Sequence, residues 1–173
     1  SMLRVMFDTT IYGFIAKESK EKREAIVRLI KSDNDLRIYG FREIRREIRN
    51  VKKWIDSRLT NSILEIYDLI IAKQYETSLK IESLALQYFQ EYSRLGGKKR
   101  FDDLEVDFLI VSCATLKNID ILYSGDRESM STNSKFCKIC QEAYTNVNLK
   151  EKLRCPNFYR YCELKKLIGI YKK

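Results

Sequence analysis

Short β-prone runs, each closed by a polar turn or an acid, alternate along this chain with longer stretches whose apolar residues recur at helical spacing. That alternation restricts the fold more than any other feature. Leu3-Arg4-Val5-Met6-Phe7 reads as a strand ending at Asp8, and Thr9-Thr10 can cap a helix carrying Ile11, Phe14 and Ile15. In residues 20–31, Ala25, Ile26, Leu29 and Ile30 keep helical spacing, and Ser32-Asp33-Asn34-Asp35 breaks it before a second strand over 36–39. The pattern then predicts helices over about 41–55, 61–72 and 81–95, the last stopped by Gly96-Gly97. Another helix, over about 103–116, is apolar nearly all round, as a buried helix is. Residues 119–123 are the clearest strand, closed by Ser124-Gly125-Asp126, and beyond it the signal weakens.

Strands alternating with helices imply a parallel sheet covered on both faces, an α/β sandwich. A length of 173 residues favours one domain. In such sheets ligands bind outside the carboxyl ends of the strands, so residues just past a strand are the first to inspect. Lys plus Arg is 33 against 24 for Asp plus Glu, and the net charge of +9 points to an anionic partner. There is no histidine, which removes Ser-His and Cys-His catalysis and every His-containing metal site. Any catalysis falls to carboxylates, cysteines, lysines, tyrosines or a metal held by oxygen. No apolar run approaches the ~20 residues of a membrane span, and five cysteines, an odd number, fit a reducing compartment. The expectation is a cytoplasmic protein with no membrane partner.

Four acids stand out. Asp8 and Asp126 follow strands directly, where a site would be, although Asp8 can equally cap a helix and Asp126 equally serve a turn. Asp107 lies inside Val106-Asp107-Phe108-Leu109-Ile110-Val111, and a carboxylate on such a helix is costly unless paired, protonated or bound to a cation. Asp103, one turn earlier, can share its face or simply favour the helix start. On the 41–55 helix, Ile44, Ile48, Val51 and Ile55 form the core stripe, Glu43 and Glu47 border it, and Arg42, Arg46, Arg49 and Lys53 lie opposite. Glu43 and Glu47 can be solvated, with pairs such as Glu43 with Arg46, or point toward the strand ends.

In this order and spacing, Val5-Met6-Phe7-Asp8-Thr9-Thr10, Ile44-Arg45-Arg46-Glu47-Ile48, and the stretch from Val106-Asp107 to Ser124-Gly125-Asp126-Arg127 make the chain resemble the PIN-domain nucleases. The fit is nearest to archaeal members of the kind that includes VapC-type toxins, and it spans about residues 2–130. The resemblance implies a PIN-like three-layer sandwich with a short central parallel sheet, occupying residues 2–173 as one domain, with 131–173 as a C-terminal elaboration. It implies divalent-metal-dependent hydrolysis of RNA phosphodiesters by Asp8, Glu47, Asp107 and Asp126 as catalytic and metal-holding acids, with Glu43 the alternative to Glu47. Ser129 stands where the family often has an orienting hydroxyl, and Thr10 and Asp103 are further candidates. Gly125 stands where the family often has an acid or Asn, which leaves one metal or two open. The cofactor implied is Mg²⁺ or Mn²⁺, because carboxylate oxygens are hard ligands suited to these ions. The implied partners are RNA and, for a toxin, a cognate antitoxin protein, with a homodimer left open.

Lys98-Lys99-Arg100 after Gly96-Gly97 reads as a mobile basic loop, and it and the face carrying Arg42 and Arg46 can follow a phosphate backbone or merely be solvated. Cys137 and Cys140 form a CxxC, but Cys155 and Cys162 are too widely spaced for the usual zinc knuckle. Tyr144, Phe158, Tyr159, Tyr161 and Tyr171 read as core or interface, with base stacking the lesser alternative. A phosphotransferase with Asp8 as nucleophile would normally carry an aspartate where Thr10 stands. The more serious rival is a non-catalytic RNA- or protein-binding module that keeps the fold, which metal titration would distinguish.

Overall fold

The structure, a computed structural model, describes residues 2–50, 57–131 and 134–170. Its strands are β1 (Leu3–Phe7), β2 (Leu36–Phe41), β3 (Ile71–Tyr75), β4 (Ile121–Tyr123) and β5 (Asn157–Tyr159). They form one five-stranded sheet in the order β3-β2-β1-β4-β5, with every pairing parallel. The helices described are α1 (Thr9–Lys17), α2 (Lys20–Ser32), α3 (Arg42–Asn50), α4 (Ser57–Ile70), α5 (Leu79–Arg94), α6 (Phe101–Leu116), α7 (Ser134–Glu151) and α8 (Tyr161–Leu167). One helical layer groups α1, α2 and α4, and the other groups α5, α6 and α7. α3 touches α1, α4 and α6. This is the expected PIN-like three-layer sandwich. Among the described residues, no helix is long and apolar enough to cross a membrane.

Burial on both faces explains the sequence of β1: Val5, Met6 and Phe7 are all fully buried, so the strand has no polar alternation. At its end the chain turns at once into α1, because the Asp8 carboxylate accepts hydrogen bonds from the Thr10 and Ile11 backbone N–H groups and so caps that helix. α6 is buried from Phe108 through Thr115, which accounts for its nearly unbroken apolar sequence. Tyr88, Phe108 and Tyr144 pack edge to face between α5, α6 and α7.

The chain fills the sheet outward from β1 to β3 and then returns to place β4 on the other side of β1. The strand order therefore switches direction between β1 and β4, and the loops after these two strands flank the crevice such a switch creates.

Several expected boundaries shift. β2 runs on to Phe41, so α3 begins at Arg42, and Val51, Lys53 and Ile55 of the expected stripe and face lie outside the described residues. The helix expected over 61–72 starts earlier and gives way at Ile71 to β3, which pairs with β2. Ile71-Ala72-Lys73-Gln74-Tyr75 shows no clear alternation, because an edge strand buries only part of itself. β4 is shorter than expected, and the weak-signal region past Met130 contains α7, β5 and α8.

Candidate active site

Asp8 leaves β1, Ser124 leaves β4, and their side chains meet across the switch point, where Ser124 Oγ donates to Asp8 Oδ2. Thr10 Oγ1 donates to the other oxygen, Asp8 Oδ1, and accepts from Gly125 N at 2.6 Å. Asp8 is 3% exposed, and burial raises its pKa to about 6 against the lowering effect of the Ser124 and Thr10 hydroxyls, with Asp126 raising it further. Asp8 is thus both the helix cap and a strand-end acid; the two readings of the sequence coexist.

The turn after β4 is self-bracing. Asp126 N donates to Ser124 Oγ at 2.9 Å, and the Asp126 carboxylate accepts from Glu128 N at 2.9 Å and Ser129 N at 3.3 Å. Ser129 Oγ lies 2.7 Å from Asp107 Oδ2 and also within hydrogen-bond reach of Asp126 Oδ2. A hydroxyl has one proton, so it serves only one of these carboxylates at a time. The other contact sets lone pair against lone pair unless a proton or a cation intervenes. Charges held about 5 Å apart, near the most one hydroxyl can bridge, repel by roughly 3 kcal/mol at an effective dielectric near 20. Consistently, burial first and then Asp126 push the Asp107 pKa well above the carboxylate range, with Asp8 and Glu47 adding to the rise.

Glu47 enters from α3, where Thr9 Oγ1 donates to Glu47 Oε1. Glu43 turns elsewhere: it accepts from Thr77 Oγ1 at 3.4 Å and pairs with Arg46 at 3.7 Å. The structure therefore brings Asp8, Glu47, Asp107 and Asp126 into one electrostatic neighbourhood and leaves Glu43 at its edge. Asp103 is exposed in the first turn of α6. Among the described residues, no three Cys, Asp or Glu side chains converge as a ready metal cage. The acids are spaced by the hydroxyls of Thr9, Thr10, Ser124 and Ser129. In donor type and uncompensated negative charge the set nonetheless fits a hard divalent cation. In the sequence Thr9 reads only as a helix cap and Ser124 only as a turn residue, and neither as part of the site.

Gly125 occupies a closed position, since a Cβ there would meet the Phe14 ring at 2.6 Å and Thr10 Oγ1 at 3.0 Å. That crowding accounts for the missing side chain where the resembled family often has an acid or Asn. Beside the acids, a groove of about 300 Å³ is lined by Glu47, Arg46, Asn50, Glu105 and their neighbours. A larger groove of about 730 Å³ lies along Arg42, Arg45, Arg46 and Arg49, with neither Asp8 nor Asp107 in its lining. Three of these arginines meet acids, Arg42 with Glu76 at 3.3 Å, Arg45 with Asp68 at 3.0 Å and Arg46 with Glu43 at 3.7 Å, so the groove is less positive than its arginines suggest.

The basic loop makes several contacts of its own. Lys99 N donates to Tyr92 OH at 3.1 Å and Lys99 Nζ pairs with Glu128, while Arg100 meets Asp102 at 3.7 Å. Lys98 is exposed. Of the tail aromatics, Tyr144 and Phe158 are core, Tyr161 packs on Phe14, Tyr159 is 38% exposed, and Tyr171 lies outside the described residues. The Cys137 side chain of the CxxC also lies outside them, and Cys140 is buried.

No family model matches the sequence, and no curated protein matches it. Solved structures do. A chain from the crystal structure of DNA-bound VapBC from Salmonella typhimurium has a TM-score of 0.55 at 16% identity, over 93% of this chain and 100% of its own. A chain from VapBC2 of Rickettsia felis, bound to a DNA fragment from their promoter, has a TM-score of 0.51 at 16% identity, over 90% of this chain and 97% of its own. At this identity the likeness is one of fold.

Proposed function

We propose that this chain is a divalent-metal-dependent endoribonuclease that hydrolyses RNA phosphodiester bonds, with Asp8, Glu47, Asp107 and Asp126 as its acids. The observation that carries the reading is the single Ser129 hydroxyl set between the Asp107 and Asp126 carboxylates, at the crevice where Asp8 leaves β1. A site that gathers acids and gives Asp107 a single hydroxyl, shared with Asp126, is suited to a cation, whereas a purely structural site would place an arginine or a further donor beside that carboxylate.

The Asp8, Glu47, Asp107 and Asp126 carboxylates would hold Mg²⁺ or Mn²⁺, which would supply charge neutralisation at the phosphate and lower the pKa of water so that its deprotonated, nucleophilic form is available near neutral pH. The chain's own residues prepare the site. Thr10 and Ser124 fix the two oxygens of Asp8, Thr9 orients Glu47, and Ser129 sets Asp107 and Asp126 relative to each other. Lys98 and Arg100, exposed before α6, are placed to hold the RNA backbone without reading bases.

The likeness in fold to VapBC chains supports a role as the toxin of a toxin-antitoxin pair, with an antitoxin protein as its partner. The test is cleavage of RNA with Mn²⁺ and with chelator, by wild type and by Asp107→Asn. A metal contribution of several kcal/mol makes the expected loss on the order of 1,000-fold. Equal cleavage by both proteins, or cleavage undiminished in chelator, removes the reading, and no cleavage by wild type with or without Mn²⁺ replaces it with a binding module of the same fold. Glu47→Ala is expected to weaken Mn²⁺ binding and Glu43→Ala to leave it unchanged; the reverse result reassigns the ligand.

A further inference from the structure

The turn carrying Asp126 depends on a side chain far away in sequence. Arg160, half-buried between β5 and α8, donates from Nη1 to the Asp126 carbonyl at 2.8 Å and from Nη2 to the Gly125 carbonyl at 2.6 Å. The adjoining residue, Tyr159, accepts from Ser124 N at 2.9 Å, continuing the pairing of β5 with β4. Three successive residues of the turn, Ser124, Gly125 and Asp126, are thus tied to one short segment of the chain's last strand and helix start.

Such a tie matters here because Gly125 has no side chain to restrict its backbone. The planar guanidinium fork can hold two adjacent carbonyls in a fixed mutual direction, which a lysine ammonium cannot do. Both nitrogens are engaged by main-chain carbonyls, so the fork sets the turn without occupying the carboxylate oxygens of Asp126. The Arg160 backbone N–H donates to Glu163 Oε2 at 3.0 Å in the cap of α8, a bond separate from the guanidinium fork.

We propose that Arg160 is a positioning residue for the acid site, holding the Gly125 and Asp126 carbonyls so that the Asp126 carboxylate faces Asp107 and Ser129. The inference rests on the proposed metal site and makes the β5–α8 segment part of it. Loss of the fork frees the turn and weakens the site for a cation while leaving the acids themselves intact.

The test uses the full chain with Mn²⁺ as probe, its free concentration followed by electron paramagnetic resonance, alongside thermal melts in chelator. Arg160→Gln is expected to weaken Mn²⁺ binding by roughly tenfold, the lower range for residues that orient metal ligands. Arg160→Lys, which keeps the charge and loses the fork, should fall between Gln and wild type and carries the test if the Gln variant does not fold. Glu163→Ala breaks the same helix start without touching the fork; it should lower the melting temperature and leave Mn²⁺ affinity as in wild type. Wild-type affinity in both Arg160 variants overturns the inference while the metal site stands, and so does an equal loss in Glu163→Ala. If wild type itself binds no Mn²⁺ and cleaves no RNA, the proposed function and the inference fall together.

Discussion

At the entry of β4, Asp120 accepts a hydrogen bond from Arg4 N at 2.8 Å and another from the Arg154 guanidinium at 3.0 Å, whereas at the exits of β1 and β4 Asp8 and Asp126 meet hydroxyls and backbone N–H groups, and Asp126 shares the Ser129 hydroxyl with Asp107. The surroundings of Asp120 are closed. Arg4 extends from the start of β1 to donate to Tyr39 OH at 2.7 Å, Tyr75 OH at 2.8 Å and the Lys117 carbonyl at 2.9 Å, and its guanidinium lies 4.3 Å from the Tyr39 ring centroid. Asp120 has a cation and a backbone donor aimed at it, and the Arg4 guanidinium has acceptors and a ring face. At the exit end, Asp107 and Asp126 compete for one proton. The contrast teaches that the residue type says little by itself: a carboxylate is settled where a counter-charge and donors reach it and raised in pKa where burial and a second acid outweigh them.

Substitutions at the two ends should therefore move stability in opposite directions. In chelator near neutral pH, Asp107→Asn is expected to raise the melting temperature, because it removes repulsion at nearly constant shape. Asp120→Asn is expected to lower it, by about 1–2 kcal/mol once the exposed Arg154 pairing is discounted, or roughly 2–4 °C per kcal/mol for a chain of this size. Adding Mn²⁺ to about 100 times its Kd should stabilise wild type and Asp120→Asn by about 2.7 kcal/mol and Asp107→Asn far less. Melts of the three proteins with and without metal decide the matter. A lower melting temperature for metal-free Asp107→Asn, with equal metal shifts throughout, would make the two ends alike.

The same contrast has a pH signature. The Asp8 pKa, raised by burial to about 6 in the folded state from an unfolded value near 4, means that native protein binds more protons than unfolded protein between those values. Stability of the metal-free protein then falls as pH rises through that window. The full difference is about 3 kcal/mol, and somewhat under half of it is recovered on going from pH 7 to pH 5. Asp107 acts in the same direction. Metal-free melts should accordingly be higher at pH 5 than at pH 7, and Asp8→Asn should shrink the difference. A melting temperature that drops on acidification over this range would show that the strand-exit acids are as well paired as Asp120.

The strand-exit acids were legible because a parallel sheet forces its site to one end, and Asp8, Asp107 and Asp126 sit at strand ends or on an apolar helix. Glu47 was separable from Glu43 only by analogy in the sequence; the Thr9 hydroxyl supplies the physical reason. β3 was misread because Ile71-Ala72-Lys73-Gln74-Tyr75 pairs at an edge and carries no burial period. β5 has only three residues, too few for any periodicity, and its place is set by pairing with β4 and by Tyr144 and Phe158 in the core. Arg160 could not be read at all, since its role depends on two carbonyls more than thirty residues away.

The smallest expected effect concerns the basic loop flanking the exit end. Lys99 is held on both sides, by Tyr92 through its backbone and by Glu128 through its ammonium, and so resembles the closed charges around Arg4 more than a free phosphate ligand. Lys98 and Arg100 stand out from it, the latter with a side chain 82% exposed and only a 3.7 Å approach to Asp102. Lys99→Ala should therefore cost less than about 1 kcal/mol of stability and leave RNA binding and its salt dependence close to wild type. Replacing Lys98 and Arg100 together by Ala should reduce the slope of log affinity against log salt by about 1.4, or about 0.7 for each single-strand phosphate that no longer meets a cation, equally across RNA sequences. The comparison is read from binding isotherms at several salt concentrations on Asp107→Asn backgrounds in chelator, where the proposed cleavage is expected to be lost. If Lys99→Ala alone flattens the slope as much as the double substitution, the Glu128 pair opens on RNA binding, and the loop belongs with the unsatisfied charges of the site rather than with the closed ones.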